Sequence, residues 1–80
     1  MLRQATRTAR LREIEELLLV EPEGLSAVDI AGRLHVDRRT VYRDLDFLQE
    51  QGVPLWHQSG SFGVDRTRYM ANLRLSFQEA

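Results

Sequence analysis

The sequence predicts an α+β domain that is mainly α, with three helices followed by a C-terminal β-hairpin. Three observations predict this order. Apolar residues recur at helical spacing near the N-terminus, short polar residues that cap helices precede two later segments, and strand-like runs flank Ser59-Gly60. A length of 80 residues with 42% hydrophobic and 29% charged residues is typical of one small globular domain.

The first helix is predicted to run from near Arg3 to about Leu19. Its apolar residues follow one another at intervals of three and four positions, so they share one face: Leu11, Ile14 and Leu18. The sequence EPEG comes next, and its proline and glycine are typical of a chain that leaves a helix. We therefore expect the first helix to end before this segment.

The second helix is predicted to begin after Ser26. This serine and Asp29, three residues later, form a short-chain variant of the capping box. The expected buried stripe of the helix consists of three positions: Val28, Ile30 or Ala31, and Leu34. Residues 35–37 then form a short connection to the third helix.

The third helix is predicted over residues 38–51, because Asp37 is a favourable N-cap and Gly52 a favourable stop. At about 100° per residue, three apolar residues share the face that must be buried: Val41, Leu45 and Leu48. The opposite face carries four charged residues: Arg39, Arg43, Asp46 and Glu50. The helix is therefore amphipathic, and its arginines lie near its start.

The placement of Arg39 and Arg43 predicts an anionic partner. They lie one helical turn apart, where like charges cost a few tenths of a kcal/mol. They also crowd the positive end of the helix, where the macrodipole disfavours cations. Two unfavourable placements on one exposed face indicate that an anionic partner offsets their cost when it binds. DNA is the partner that we expect.

The formal net charge of -1 does not exclude a nucleic-acid partner, because the charges are segregated along the chain. Arginines dominate residues 3–12 and 33–43, whereas carboxylates dominate residues 13–29 and 44–50. All 11 basic residues are arginine, whose planar guanidinium suits phosphates and guanine edges. Local charge therefore favours DNA where the total charge does not.

Enzymatic activity is not expected. The chain has no cysteine, only two histidines, no nucleophile motif and no phosphate-binding loop. We therefore expect no catalytic residues, no cofactor and no metal site. The longest apolar run, residues 17–20, is far shorter than the roughly 20 residues that span a bilayer. This predicts a cytoplasmic protein with no membrane partner.

Three helices and a hairpin, with a short turn between the second and third helices, are the layout of a winged helix-turn-helix. In this motif the later helix enters the major groove of DNA with its early residues near base edges. We therefore expect sequence-specific binding of double-stranded DNA, with the hairpin as a wing that contacts the backbone. The alternative is a winged-helix module that binds another protein, since acids share the exposed face of the third helix.

The candidate DNA contacts of the third helix are its arginines and one threonine. Arg39 and Arg43 would contact guanine edges or phosphates, and Thr40 would hydrogen-bond a phosphate or a base. Arg38 lies near the core boundary, so a phosphate contact is expected there. The alternative is that these residues form a solvated helix face.

Three further candidates lie outside the third helix: Arg7 in the first helix, Ser26 at the start of the second, and His57 near the hairpin tip. Arg7 could equally belong to a mobile basic end of the chain. Asp44 is expected to form an ion pair or a helix-packing contact, because an acid facing DNA would be unfavourable. Trp56 is expected to pack against the core.

The segment LSAVDIAGRLHVDRRTVYRDLDFLQEQGVPL resembles the N-terminal helix-turn-helix domain of bacterial WYL-domain transcriptional regulators, which has a DeoR-like winged helix. The resemblance covers about residues 9–75, and RRTVYRDL is its most specific part. Three features depart from the family pattern: His35 replaces the usual turn glycine, Asp37 replaces a serine N-cap, and SFGVD replaces the usual wing sequence.

The resemblance implies how the chain is organised. Residues 1–64 would be the DNA-binding domain, and residues 65–80 a connector toward a missing WYL-type effector domain. That domain would bind an effector, which could be a nucleic acid or a nucleotide, and the full-length regulator would be a homodimer. Ser76 and Glu79 also form a capping box for a helix that has no room in the chain, which supports a continuation.

Overall fold

The structure, a computed structural model, describes residues 6–79, with side chains described for residues 6–74. In chain order the elements are α1 (Arg7–Val20), β1 (Leu25–Ser26), α2 (Ala27–Leu34), α3 (Arg38–Glu50), β2 (Leu55–Gln58), β3 (Ser61–Val64) and α4 (Arg66–Glu79). The predicted α+β class and winged-helix layout are confirmed. The prediction missed β1 and α4.

Each helix begins where a short polar side chain caps it. Thr6 accepts a hydrogen bond from the backbone amide of Ala9 at 3.1 Å, and Ser26 does the same for Asp29 at 3.0 Å. Asp37 accepts one from the amide of Thr40 at 2.8 Å. The predicted starts of α2 and α3 are therefore confirmed. The first helix begins at Arg7 rather than near Arg3, because Thr6 is the cap; residues 3–5 lie outside the described part.

The three strands form an antiparallel sheet in the order β1-β3-β2. The predicted hairpin pairs β2 with β3, and its turn places Ser59 and Gly60 at positive φ angles of 53° and 82°. Two consecutive residues at positive φ are typical of the type I′ turn that suits a tight hairpin. Strand β1 pairs its two residues with Ser61 and Phe62. Strand β1, which directly precedes α2, is thereby paired with the hairpin.

The core lies between α1, α2, α3 and the inner face of the sheet. Its fully buried apolar residues include Ile14 and Leu18 from α1 and Ile30 from α2. The predicted core face of α3 is confirmed by its three buried residues: Val41, Leu45 and Leu48. Val64 contributes the apolar end of β3. The helix that carries the arginines is thus held by its opposite face.

The predicted buried stripe of α2 is partly wrong. Val28 is 56% exposed, whereas Ala27, Ile30 and Ala31 are buried. Helix α2 packs against α3 and β1 with the stripe formed by positions 27, 30, 31 and 34, which recur at intervals of three and four residues. Val28 lies about 100° away from Ala27 around the axis and therefore faces solvent.

Helix α4 occupies residues that were predicted to be a connector. Asp65 caps its start, and the hydroxyl of Tyr69 donates a hydrogen bond of 2.7 Å to the Glu15 carboxylate on α1. Arg66 also donates to the carbonyl of Leu19. Ser76 lies inside α4, so the predicted capping box at Ser76 is wrong. The helix is thus tied to α1 from its first turn.

The contact between Tyr69 and Glu15 predicts a loss of stability at high pH. The hydrogen bond to Glu15, with burial and the charge of that carboxylate, raises the pKa of Tyr69 from 10.0 to about 12. The folded state therefore favours the protonated phenol. The resulting stabilisation is complete below about pH 10, which is the pKa of Tyr69 in the unfolded chain. It is lost as the pH rises through the pKa of Tyr69 in the folded protein. Absorbance titration of phenolate should show a step near pH 12 that Tyr69→Phe lacks.

The indole of Trp56 packs across two glycines rather than against the core as predicted: the half-buried hydrophobic residues that pack against the core include its neighbour Leu55 but not Trp56. Trp56 faces Gly63 on the neighbouring strand, and a Cβ at Gly63 would fall 2.6 Å from the indole Nε1. A Cβ at Gly24 would fall 2.6 Å from both the Trp56 ring and the carbonyl of Phe62. Only glycine allows the ring to lie this close to the backbone.

Replacement of a glycine by alanine is expected to have opposite effects on stability beside Trp56 and in the open part of α2. Gly63→Ala should lower the free energy of unfolding by about 1 to 3 kcal/mol, because the new methyl group overlaps the indole. Gly32→Ala should raise it by about 0.5 to 1 kcal/mol, because Gly32 lies inside α2 with open space around it. Urea denaturation followed by circular dichroism measures both. Equal stability of the two variants would contradict the packing described for Trp56.

Candidate nucleic-acid interface

Helices α2 and α3 are joined by residues 35–37 and form a helix-turn-helix. The turn begins at His35, whose φ of 60° places it in the left-handed region that usually favours glycine. The amide of Val36 donates a 3.1 Å hydrogen bond to the carbonyl of Ala31, which closes the end of α2. Asp37 then starts α3. The two helices are therefore joined by a tight turn of three residues.

The outer face of α3 carries arginines that form no ion pair with the acids of residues 6–74. Arg38, Arg39 and Arg43 are exposed, and within residues 6–74 none of them forms an ion pair. Asp37 directly precedes the helix, and its pKa is lowered mainly by the hydrogen bond from Thr40 and also by the charges of Arg39 and Arg43. The start of α3 is thus a positively charged surface with one capping carboxylate.

Helix α1 borders this face on one side. The guanidinium carbon of Arg7 lies 4.4 Å from the centre of the Phe47 ring, a cation–π contact. A cleft of about 300 Å³ lies between the start of α1 and α3. Its lining brings together three candidate DNA contacts and an ion pair: Arg7, Thr40, Arg43, Arg10 and Asp44.

The hairpin borders the same face on the other side. Tyr42 of α3 meets Phe62 of β3 edge to face, with ring centres 6.0 Å apart. Phe62 stacks in turn on His57 of β2, with ring centres 4.1 Å apart and planes 8° from parallel. These contacts join α3 to the hairpin. Tyr42 and Phe62 were not among the predicted site residues, because their sequence separation gives no signal of contact.

Asp44 is the buried charge of the site. It is 1% exposed, and its two oxygens accept hydrogen bonds from Arg10 at 2.5 Å (Nε) and 3.1 Å (Nη2). Arg7 Nε lies 3.7 Å from the same carboxylate. The predicted ion-pair or packing role of Asp44 is confirmed. Its hydrogen bond raises the pKa of Arg10, which is the response expected of a bidentate charged pair.

The remaining candidates lie at separate places around α3. Arg38 is the first residue of the helix, and His57 is exposed on the outer strand of the wing. The hydroxyl of Ser26 is already engaged as the cap of α2, and its backbone pairs with Ser61. The structure therefore gathers Arg7, Thr40 and Arg43 around one cleft, and does not bring Ser26 or His57 into it.

Other kinds of site find little support in the described part of the chain. The side chains described, those of residues 6–74, include no group of three or more that could ligate a metal ion. Among the helices described there, none combines the length and the apolar character that crossing a membrane requires.

Comparison with known proteins assigns the family. A family model described as an HTH domain (HTH_11) matches residues 10–64, which is more than half of the chain and includes α2, the turn, α3 and the hairpin. Neither the search of curated proteins nor the search of solved structures finds a match. The chain therefore belongs to the HTH domain family and contains a helix-turn-helix DNA-binding domain.

Proposed function

We propose that the chain binds double-stranded DNA sequence-specifically, as the DNA-binding domain of a bacterial transcriptional regulator. Helix α3 would lie in the major groove, where an α-helix fits and where each base pair presents a distinct pattern of donors and acceptors. The observation that carries this proposal is the exposed, unpaired arginine face of α3 within residues 6–74, bordered by α1 and the hairpin.

The arginines and threonine of α3 would divide the contacts by position. Arg39 and Arg43, one turn apart on the outer face, would contact guanine edges or phosphates. Thr40 would donate its hydroxyl to a phosphate or a base. Arg38, the first residue of the helix, would contact a phosphate.

The wing would contact the DNA backbone beside the groove. His57 is exposed on β2 and is held flat against Phe62, so its ring can present polar atoms without ordering a flexible side chain. Ser26, at the start of α2, would add a contact through its hydroxyl proton, because its oxygen already accepts the capping bond.

The resemblance to WYL-domain regulators suggests the wider context. The DNA-binding domain would comprise residues 1–64, in keeping with a family match that ends at residue 64. Residues 65–80, which include α4, would lead toward an effector domain that binds a ligand such as a nucleic acid or nucleotide. The intact regulator would be a cytoplasmic homodimer, because a single module of this size buries too little surface for tight binding alone.

Selection from a random duplex library tests sequence specificity. The chain, used both alone and as a tethered dimer, should enrich a defined motif over several rounds, and the tethered dimer should enrich two copies at fixed spacing. The Arg39→Ala/Arg43→Ala variant should enrich none. Failure of both forms to enrich any motif would contradict sequence-specific binding. It would favour a protein-binding winged helix, with Asp46 and Glu50 as part of its exposed surface.

A further inference from the structure

We propose that the cleft between α1 and α3 binds one phosphodiester group of the DNA backbone. We call it the α1–α3 cleft; its lining residues are Arg7, Arg10, Thr40, Arg43 and Asp44. The proposal rests on the proposed function, because it needs α3 to lie on DNA. It adds a specific backbone contact, made by a helix outside the helix-turn-helix, and gives Asp44 a role as a positioning residue.

The charge of the cleft favours an anion. Three guanidinium groups line it against one carboxylate, so its formal charge is +3 − 1 = +2. The carboxylate of Asp44 is 2% exposed and is engaged by both the Nε and the Nη2 of Arg10. Arg10 is therefore used to neutralise Asp44. The positive charges of Arg7 and Arg43 remain available at the opening of the cleft.

Arg7 is held in place before any ligand arrives. Its guanidinium rests on the Phe47 ring at 4.4 Å, and its Nε lies 3.7 Å from Asp44 Oδ1. The side chain is nevertheless 53% exposed, so the rest of the guanidinium can still face a ligand. A long side chain that is already ordered loses less conformational entropy on binding. Asp44 and Phe47 thus position Arg7 without themselves contacting DNA.

The location of the cleft fits a backbone phosphate. Arg43 belongs both to the cleft and to the outer face of α3, so a group bound there would lie directly beside the DNA read by α3. The major groove is about 12 Å wide, so a helix inside it has a sugar-phosphate backbone on each side. The hairpin borders α3 on one side and α1 borders it on the other. The α1–α3 cleft would bind the sugar-phosphate backbone on one side of the groove, and the hairpin would contact the backbone on the other side.

Thr40 adds a hydroxyl to the donors of the cleft. It is half-buried in the lining, and its hydroxyl, which lies beside the Asp37 carboxylate, can turn to a phosphate oxygen while the two guanidinium groups pair with the charge. Arginine and hydroxyl side chains are common donors to DNA phosphates. A site that holds a phosphate in this way positions the protein on the duplex without reading sequence.

Binding titrations at several salt concentrations test the cleft, with a duplex obtained by the selection described above. Arg7→Ala should weaken binding about 5- to 10-fold near 0.1 M salt and reduce the salt slope by about one, because one phosphate contact is lost. Arg12→Ala is the matched control, since it removes the same charge from the same helix but lies outside the α1–α3 cleft. It should change binding less than about twofold.

A double-mutant cycle and a modified backbone make the test specific. If Arg7 and Arg43 share one phosphate, the loss in Arg7→Ala/Arg43→Ala should be smaller than the product of the two single losses. Replacing backbone phosphates one at a time with uncharged methylphosphonate should weaken wild-type binding at one position that no longer matters to Arg7→Ala. Thermal melting of each variant, and Arg7→Lys as a variant that keeps the charge, would separate binding from folding.

The outcomes distinguish this proposal from the proposed function. Equal effects of Arg7→Ala and Arg12→Ala, or the absence of a methylphosphonate position specific to Arg7, would overturn the cleft while leaving DNA binding by α3 intact. Failure of the wild-type chain to bind any duplex would overturn both. Loss of affinity in Arg39→Ala together with unchanged affinity in Arg7→Ala would overturn the cleft alone.

Discussion

Replacing Asp44 with alanine is expected to lower the free energy of unfolding by about 3 kcal/mol. The carboxylate is buried and holds Arg10 through two hydrogen bonds. Its removal would leave the guanidinium of Arg10 partly buried, with 21% of the side chain exposed and its buried partner gone. That exposure places the expected cost at the lower end of the range for broken buried pairs. Urea denaturation followed by circular dichroism measures it.

Two further variants separate the ion pair from other effects of the substitution. Asp46→Ala changes an exposed acid on the same helix and should alter stability by less than about 0.5 kcal/mol. Replacing both partners, as Arg10→Met/Asp44→Leu, should recover most of the loss, since apolar pairs of similar volume often substitute for buried ion pairs. A loss in Asp44→Ala no larger than that in Asp46→Ala would contradict the structural role of the pair.

Alanine at Arg39 or Arg43 is expected to cost about 1 to 3 kcal/mol of binding free energy at a selected DNA site. The free energy of unfolding, by contrast, should stay the same or rise slightly. Both side chains are exposed and lie one turn apart on α3, so removing either relieves a like-charge repulsion of a few tenths of a kcal/mol. Binding that weakens while thermal stability holds or rises identifies residues that serve the partner rather than the fold.

The sequence predicted the helices best where capping residues and breakers mark their ends. Ser26 and Asp37 were assigned as caps from residue type alone, and both accept the expected backbone hydrogen bond. The hairpin was equally predictable, because Ser59-Gly60 suits a tight turn. These features are local, so short stretches of sequence contain all the information that determines them.

The errors came from features that depend on distant contacts. Strand β1 is two residues long and exists because β3 lies beside it, which no local pattern reveals. Helix α4 was not predicted although Asp65 caps its start, because its attachment to α1 through Tyr69 and Glu15 joins residues 54 positions apart. Val28 was placed in the buried stripe of α2 by helical spacing, whereas α2 packs against α3 and β1 through the face of Ala27 and Ile30, which leaves Val28 exposed.

The exposed arginine face of α3 could be predicted from the sequence, whereas the contacts that α1 makes beside it could not. The exposed positions of Arg39 and Arg43 followed from helical periodicity alone. The pairing of Asp44 with Arg10 spans 34 residues, so an ion pair could be expected at Asp44 without its partner being identified. Arg7 was a candidate on charge alone, and its place beside Phe47 depends on how α1 packs across α3.

DNA reading by α3 is tested most directly by the affinity of this chain for a labelled, selected duplex, measured by fluorescence anisotropy across salt concentrations. Wild-type binding should weaken linearly in the logarithm of salt concentration, and Arg39→Ala/Arg43→Ala should bind about 30-fold or more weakly. The control Arg12→Ala/Arg68→Ala removes two exposed arginines outside α3 and should bind nearly as the wild type does. Equal affinities of the two double variants would contradict a reading face on α3.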